Sequence, residues 1–157
     1  MVDDLTMGQA VALGPGDDSA VFQVDGSAVV STDVLVEEVH FRRRWSTATD
    51  VGRKAVAVNV SDIEAMGAVP VALVVGFSAP GDLPASWARE FMAGMAAESQ
   101  KAGVSVVGGD TTGGPVVSIA VTVIGQTAGM APVRRDGAVP GDCLLYTSPS
   151  PRDRTRS

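Results

Sequence analysis

One cysteine and one histidine in 157 residues exclude several common chemistries. The lone thiol, Cys143, can form neither an intrachain disulfide nor a cysteine-based zinc site. Neither Cys143 nor His40 lies in a motif that would build a Ser-His-Asp or Cys-His nucleophilic centre. Aromatic residues make up only 4%, so the sequence predicts a core of Val, Ala, Ile, Leu and Met. No apolar run approaches the ~18 residues of a membrane span, and the start Met1-Val2-Asp3-Asp4 does not read as a signal peptide. The expectation is a cytoplasmic protein with no membrane partner. Acidic residues outnumber basic ones 18 to 12, and the net charge of −6 argues against a nucleic-acid partner held by a basic surface. An acidic chain can still take phosphates where divalent cations bridge the like charges. There is no G-x-x-x-x-G-K-[ST] and no dinucleotide G-x-G-x-x-G after a strand, so any kinase here falls outside the P-loop class.

What is present is an apolar content of 45%, enough for one domain with a real core. The chain centres on Gly108-Gly109-Asp110-Thr111-Thr112-Gly113-Gly114, set between the apolar runs Val104–Val107 and Val116–Ile124. Read alone, this is a tight hairpin with a glycine-rich loop. The less simple reading is a backbone that lies close to a ligand, with amides facing phosphate oxygens and Asp110 facing a metal ion.

Residues 1–13 read as an irregular lead-in. Gly14-Pro15-Gly16-Asp17-Asp18 is a turn, Ala20–Val24 a strand, and Asp25-Gly26 a hairpin signal leading into the return strand Ser27–Asp33. That hairpin would place Asp17 and Asp18 near Asp33. Arg42-Arg43-Arg44 reads as a solvated charge run or, less simply, a phosphate contact. A helix is expected from Ala48 to Met66, capped by Thr47 or Thr49 and stopped by Gly67 and Pro70. Val51, Ala55, Val58 and Asp62 share one stripe of it, so Asp62 is expected on the core-facing side. Val71–Phe77 reads as a buried strand, and Ala85–Ala102 as a helix whose Trp87/Phe91/Met95 and Ala88/Met92/Ala96 rows face the core. Val116–Ile124 is apolar on both faces and is expected to be covered on both, by helices and by a partner subunit. From Cys143 the pattern is lost. Residues 143–157 carry three basic groups and one acidic one, and are set apart as a non-native, disordered tail.

Four acidic stations, Asp17/Asp18, Asp33, Asp62 and Asp110, stand at element ends beside small residues. Carboxylates gathered on one cleft repel unless cations are bound, and phosphoryl transfer uses such an arrangement. Gly16-Asp17-Asp18-Ser19-Ala20-Val21, Ser31 to Phe41, Lys54 to Ala68 and Gly108-Gly109-Asp110-Thr111-Thr112 together resemble thiamine-monophosphate kinase, in that family's order and spacing, over about residues 14–142. The wider superfamily includes aminoimidazole ribonucleotide synthetase, selenophosphate synthetase and a hydrogenase maturation factor.

The resemblance implies an α/β (α+β) fold: a mixed β-sheet with helices packed on one face, the N-terminal domain of the aminoimidazole ribonucleotide synthetase-like fold, forming a homodimer through its sheet. It implies transfer of the ATP γ-phosphate to thiamine monophosphate with several Mg²⁺ ions. Asp18, Ser31, Thr32, Asp33, Asp62 and Asp110 would be metal ligands, Gly109, Asp110 and Arg135 would contact ATP, and His40 would contact the thiamine phosphate. The family's C-terminal domain is expected to be absent, leaving residues 14–142 as an N-terminal ATP- and Mg²⁺-binding domain with little activity alone. A sister enzyme of the superfamily, a non-catalytic dimerisation or nucleotide-binding module, and an unstable truncation product remain as alternatives.

Overall fold

A computed structural model describes residues 7–16 and 18–142. Asp17, Cys143 and the tail at 143–157 lie outside the described residues, so the expectations made for them stand where the sequence left them. The elements are β1 (Val11–Leu13), β2 (Val21–Phe22), β3 (Ala28–Val36), α1 (Ala48–Ala65), β4 (Val69–Ala79), α2 (Ala85–Ala102), β5 (Ser105–Gly113) and β6 (Ser118–Gln126). The four long strands form one mixed sheet in the order β3-β6-β4-β5, antiparallel except for the parallel β4/β5 pair. β4-α2-β5 is a crossover between adjacent parallel strands, and β3-α1-β4 is a similar crossover with β6 inserted between its strands. The mixed α/β sheet with helices on one face is as the sequence predicts.

The helices form where the pattern places them. Thr47 caps α1: its hydroxyl accepts from the Asp50 amide at 3.1 Å, and the Asp50 carboxylate accepts from the Thr47 amide at 3.2 Å. α2 has no side-chain cap and stops at Gly103 in the left-handed conformation. The main core lies between these helices and the sheet. Val51, Ala55, Val56, Val60 and Ile63 of α1 and Phe91 and Met95 of α2 meet Leu73, Val75, Ile119, Val121 and Val123. Aromatics, scarce as they are, gather at one end of this core, where Phe41, Phe77, Trp87 and Phe91 stack with centroids 5.4–6.4 Å apart. A smaller cluster on the opposite face joins Val71, Ala72 and Val107 to Val11 and Phe22 of the β1/β2 pair.

Four local expectations give way. First, residues taken as irregular contribute β1. Second, β2 pairs with β1 and β3 with β6, so no β2-β3 hairpin exists. The Asp25-Gly26 turn does form, but it is bound to the end of β6: the Asp25 amide donates to Gln126 Oε1 at 2.8 Å and the Ala128 amide to the Asp25 carbonyl at 3.0 Å. It hands the chain from the small sheet to the large one, and Asp18 and Asp33 are not neighbours across a hairpin. Third, Gly108–Gly113 is strand, not loop. It continues β5 alongside β4, and β6 lies on the other side of β4. Fourth, Asp62 is exposed, and the polar residue on the core-facing stripe of α1 is Asn59, fully buried.

The helices touch through two glycines. A Cβ on Gly52 would stand 2.1 Å from the Phe91 carbonyl oxygen, and one on Gly94 2.2 Å from that of Thr49. In an isolated helix Gly→Ala is favourable by ~0.5–1 kcal/mol. Here Gly52→Ala and Gly94→Ala are each expected to destabilise the chain by about 1–3 kcal/mol, since the backbones must part. Urea midpoints that stay level or rise would contradict the close crossing.

Candidate functional site

Sheet register decides which of the sequence-predicted residues share a face. Asp33, Val121, Val75 and Gly109 lie in one row across the four strands, and Thr32, Thr122, Val74 and Gly108 in the next. Alternation along each strand then sorts the candidates. Ser31, Asp33 and Gly109 belong to the helix-covered face, and Thr32 and Asp110 to the opposite one.

On the face away from the helices, Asp18 and Asp110 line one cavity of about 480 Å³ with Gly76, Gly108 and Gly109. Asp110 is exposed, and its Oδ1 accepts from the Thr111 amide at 2.8 Å. The two glycines beside it differ in kind. A Cβ on Gly109 would stand 2.1 Å from the Val75 carbonyl oxygen, so strand packing demands glycine there. A Cβ on Gly108 would meet nothing within 4 Å, and its φ is not positive. Neither packing nor backbone conformation explains Gly108; the space it leaves opens onto the cavity.

The helix-covered side holds the second group. Ser31 Oγ donates to Asp62 Oδ2 at 2.9 Å, and the Asp33 amide donates to Asn59 Oδ1 at 3.1 Å. Ser31, Asp62 and Arg135 line a cavity of about 380 Å³ beside the C-terminal end of α1, with Arg134, which pairs with Asp136 at 2.8 Å. Thr32 stays apart: its hydroxyl donates to the Val121 carbonyl at 3.0 Å and accepts from Thr122 Oγ1 at 3.2 Å. The two groups sit on edge strands three spacings apart, roughly 14 Å by ordinary strand separation. Among the described residues, no three His, Cys, Asp or Glu side chains gather closely enough to hold a metal. The acidic stations therefore form two half-sites within one chain, not a single cage.

His40 lies in the loop between β3 and α1. Its Nδ1 accepts from the Val36 amide at 3.0 Å, which leaves the proton of the neutral ring on Nε2. Lys54 Nζ donates to the His40 carbonyl at 2.6 Å, and both line a cavity of about 330 Å³ with Trp45 and Asp50. The arginine run proves to be a brace. Glu38, at φ +64°, takes Arg42 Nε at 3.1 Å and an Arg44 terminal nitrogen at 2.7 Å, and both guanidiniums lie over Trp45, at 4.3 and 5.0 Å from the ring centroid. Arg43 pairs with buried Glu37, whose other oxygen accepts from the Val117 amide at 3.3 Å. The sequence reading missed Lys54 and Asn59. In the structure Asn59 is the one strongly polar residue among the buried positions of α1.

The model of the family described as AIR synthase related protein, N-terminal domain, matches residues 16–127. A thiamine-monophosphate kinase from Mycobacterium tuberculosis is 48% identical over 149 residues, which is 92% of this chain and 45% of the relative. The crystal structure of thiamine monophosphate kinase from Aquifex aeolicus is similar with TM-score 0.68 and 36% identity, over 71% of this chain and 37% of that one. A structure of AaThiL complexed with AMPPCP and TMP is similar with TM-score 0.61 and 28% identity, over 80% of this chain and 36% of that one. The chain thus spans less than half the length of the curated relatives it matches.

The hydrogen bond from Arg44, with help from Arg42, holds the Glu38 carboxyl below the usual glutamate range. A carboxylate with a lowered folded-state pKa stabilises the loop above its unfolded value, and this is lost as pH falls through the lowered one. The indole N–H resonance of Trp45 is therefore expected to hold steady from neutral pH through the ordinary glutamate range and to move only below it. In Glu38→Gln it should sit at a displaced position throughout. A wild-type transition at the ordinary glutamate pKa would contradict the brace.

Proposed function

The chain belongs to the AIR synthase related protein family through its N-terminal domain, and from that premise we propose that residues 14–142 are the ATP- and metal-binding domain of a thiamine-monophosphate kinase. The observation that carries this reading is the Gly108-Gly109-Asp110 end of β5, which borders a cavity with Asp18 and keeps open space at Gly108. The 48% identity to a thiamine-monophosphate kinase favours this branch over a sister enzyme of the superfamily. The AMPPCP and TMP bound by the AaThiL structure make ATP and thiamine monophosphate the proposed ligands here.

In the proposed reaction an oxygen of the thiamine monophosphate phosphate bonds to the γ-phosphorus of ATP. The bond from that phosphorus to the β,γ-bridging oxygen breaks, giving thiamine diphosphate and ADP. Such transfer depends on positioning and charge neutralisation more than on covalent participation by the protein. Gly109 and Asp110 would lie at the ATP phosphates, Arg135 would add a contact to the nucleotide, and His40 would meet the substrate phosphate through its Nε2 proton. The donors fit Mg²⁺ in kind: Asp18, Ser31, Thr32, Asp33, Asp62 and Asp110 offer only oxygen. They fit in number only as hydrated ions shared with phosphate, since no cage of three acidic ligands exists among the described residues. Magnesium so bound would neutralise phosphate charge.

A homodimer through the sheet is part of the same reading. Val30 and Val34 stand 62% and 45% exposed on the face of β3 away from the helices, beside Ala120 and Ile124 of β6, and a second copy of that strip would cover them. Sedimentation that finds only monomer at micromolar concentration would remove this part. Because the chain spans 45% of the M. tuberculosis relative, binding is proposed for this chain and turnover for a protein of the relatives' full length. No helix among the described residues is long and apolar enough to cross a membrane, and a cytoplasmic setting is proposed with the kinase reading.

Calorimetric titration of the chain with AMPPCP and Mg²⁺ tests the site. Gly108→Val is expected to fold as stably as the parent yet bind about tenfold more weakly, ~1.4 kcal/mol. Asp110→Asn should also lose affinity. Undiminished binding in both variants would exclude this cavity as the nucleotide site.

A further inference from the structure

Asn59 is assigned no ligand role above, yet it is fully buried in α1 and makes two directed hydrogen bonds. Its Nδ2 donates to the Ala55 carbonyl at 2.9 Å, and its Oδ1 accepts from the Asp33 amide at 3.1 Å. These two bonds fix the orientation of the side-chain amide. With oxygen and nitrogen exchanged, donor would face donor at Asp33 and acceptor would face acceptor at Ala55.

The Asp33 amide is a special partner. Asp33 pairs with Val121 of β6 in the sheet, and Asn59 reaches the same amide from the helix side, so this one group joins strand and helix. Three residues further along α1, Asp62 accepts from Ser31, two residues back along β3. Helix and strand run in opposite senses here, and the two ties act as a pair. Between them stands the segment Ser31–Asp33, whose side chains the functional reading uses.

We infer that Asn59 is a positioning residue: it locks the backbone of Asp33 to α1, and so holds Asp33 and Ser31 in place beside Asp62 for a cation-bound phosphate ligand. An apolar residue of similar size would fill the space but remove the hydrogen bond that ties β3 to α1 at Asp33. The inference rests on the metal reading above, and the test separates the two.

The probe is Mn²⁺ together with AMPPCP, followed by its electron paramagnetic resonance in the intact 157-residue chain, with amide exchange at Asp33 measured by NMR on the metal-free protein. Asn59→Ala is expected to reduce protection at Asp33 and to weaken Mn²⁺ binding by about tenfold or more, the usual scale for a residue supporting a ligand from behind. Val56→Ala, a cavity in the same helix at a side chain that makes neither hydrogen bond, should lose stability but keep both Mn²⁺ affinity and Asp33 protection. Asn59→Asp, which retains an oxygen toward the Asp33 amide, should keep most of the affinity, and it carries the test should Asn59→Ala not fold. Unchanged Mn²⁺ binding in folded Asn59→Ala would overturn the inference, as would equal losses in Val56→Ala or loss in folded Asn59→Asp. A wild-type chain that protects Asp33 but binds no Mn²⁺ would instead overturn the metal reading beneath it.

Discussion

The alternation of β6 is the constraint on which the other placements depend. Val117, Ile119, Val121 and Val123 are fully buried against the helices, and the residues between them turn to the opposite face. Because side chains alternate with period two, slipping β6 by one residue would expose all four. That penalty fixes the register of β3 on one side of β6 and β4 on the other, and β4 in turn fixes β5. The level shared by Asp33 and Gly109, two strands apart in sequence order but in one row of the sheet, follows from this packing. So does the division of Ser31 and Asp33 from Thr32 and Asp110. The candidate site is in this sense a by-product of burying four branched side chains.

What could be read from the sequence was what local chemistry decides. The Thr47 cap, the glycine stops and the apolar rows of α2 depend on residues within a turn or two of each other, and they form where expected. The alternating run of β6 was equally legible. Strand partners were not. Asp25-Gly26 has the chemistry of a hairpin turn and does turn, but the end of β6 offers its backbone better partners than β2, which has only two strand residues. Gly108–Gly114 looked like a loop because glycine weakens strands. Gly108–Gly113 is strand because β4 presents a parallel edge, and Gly109 allows β5 to come close enough to use it. Parallel pairing through a helix has no local signature in the residues being paired.

The candidate site follows the same division. Its residues were named from motifs, and the cavities at Asp18/Asp110 and Ser31/Asp62/Arg135 gather most of them in two places. The sequence put Asp62 on the core side of α1, one position round the helix from its true place. The buried face of α1 centres on Gly52, Asn59 and Ile63, and the stripe through Val51, Val58 and Asp62 runs along its rim, so Asp62 comes out exposed and Asn59 buried. Asn59 was passed over because a buried amide is informative only once its partner, 26 residues away, is known. The arginines at 42–44 show the converse. Their charge read as a solvated run or, less simply, a phosphate contact, and the structure commits all three to Glu37 and Glu38.

The central proposal is that the nucleotide whose phosphates meet Gly109 and Asp110 also reaches Arg135, in the cavity that Ser31 and Asp62 line. Titrating the ¹⁵N-labelled chain with AMPPCP and Mg²⁺ tests it most directly. The account predicts that backbone resonances of Gly108, Gly109 and Asp110 move together with those of Ser31, Asp33 and Asp62, along one binding curve. Shifts confined to the β5 edge, with Ser31 to Asp33 and Asp62 unmoved at saturation, would contradict it.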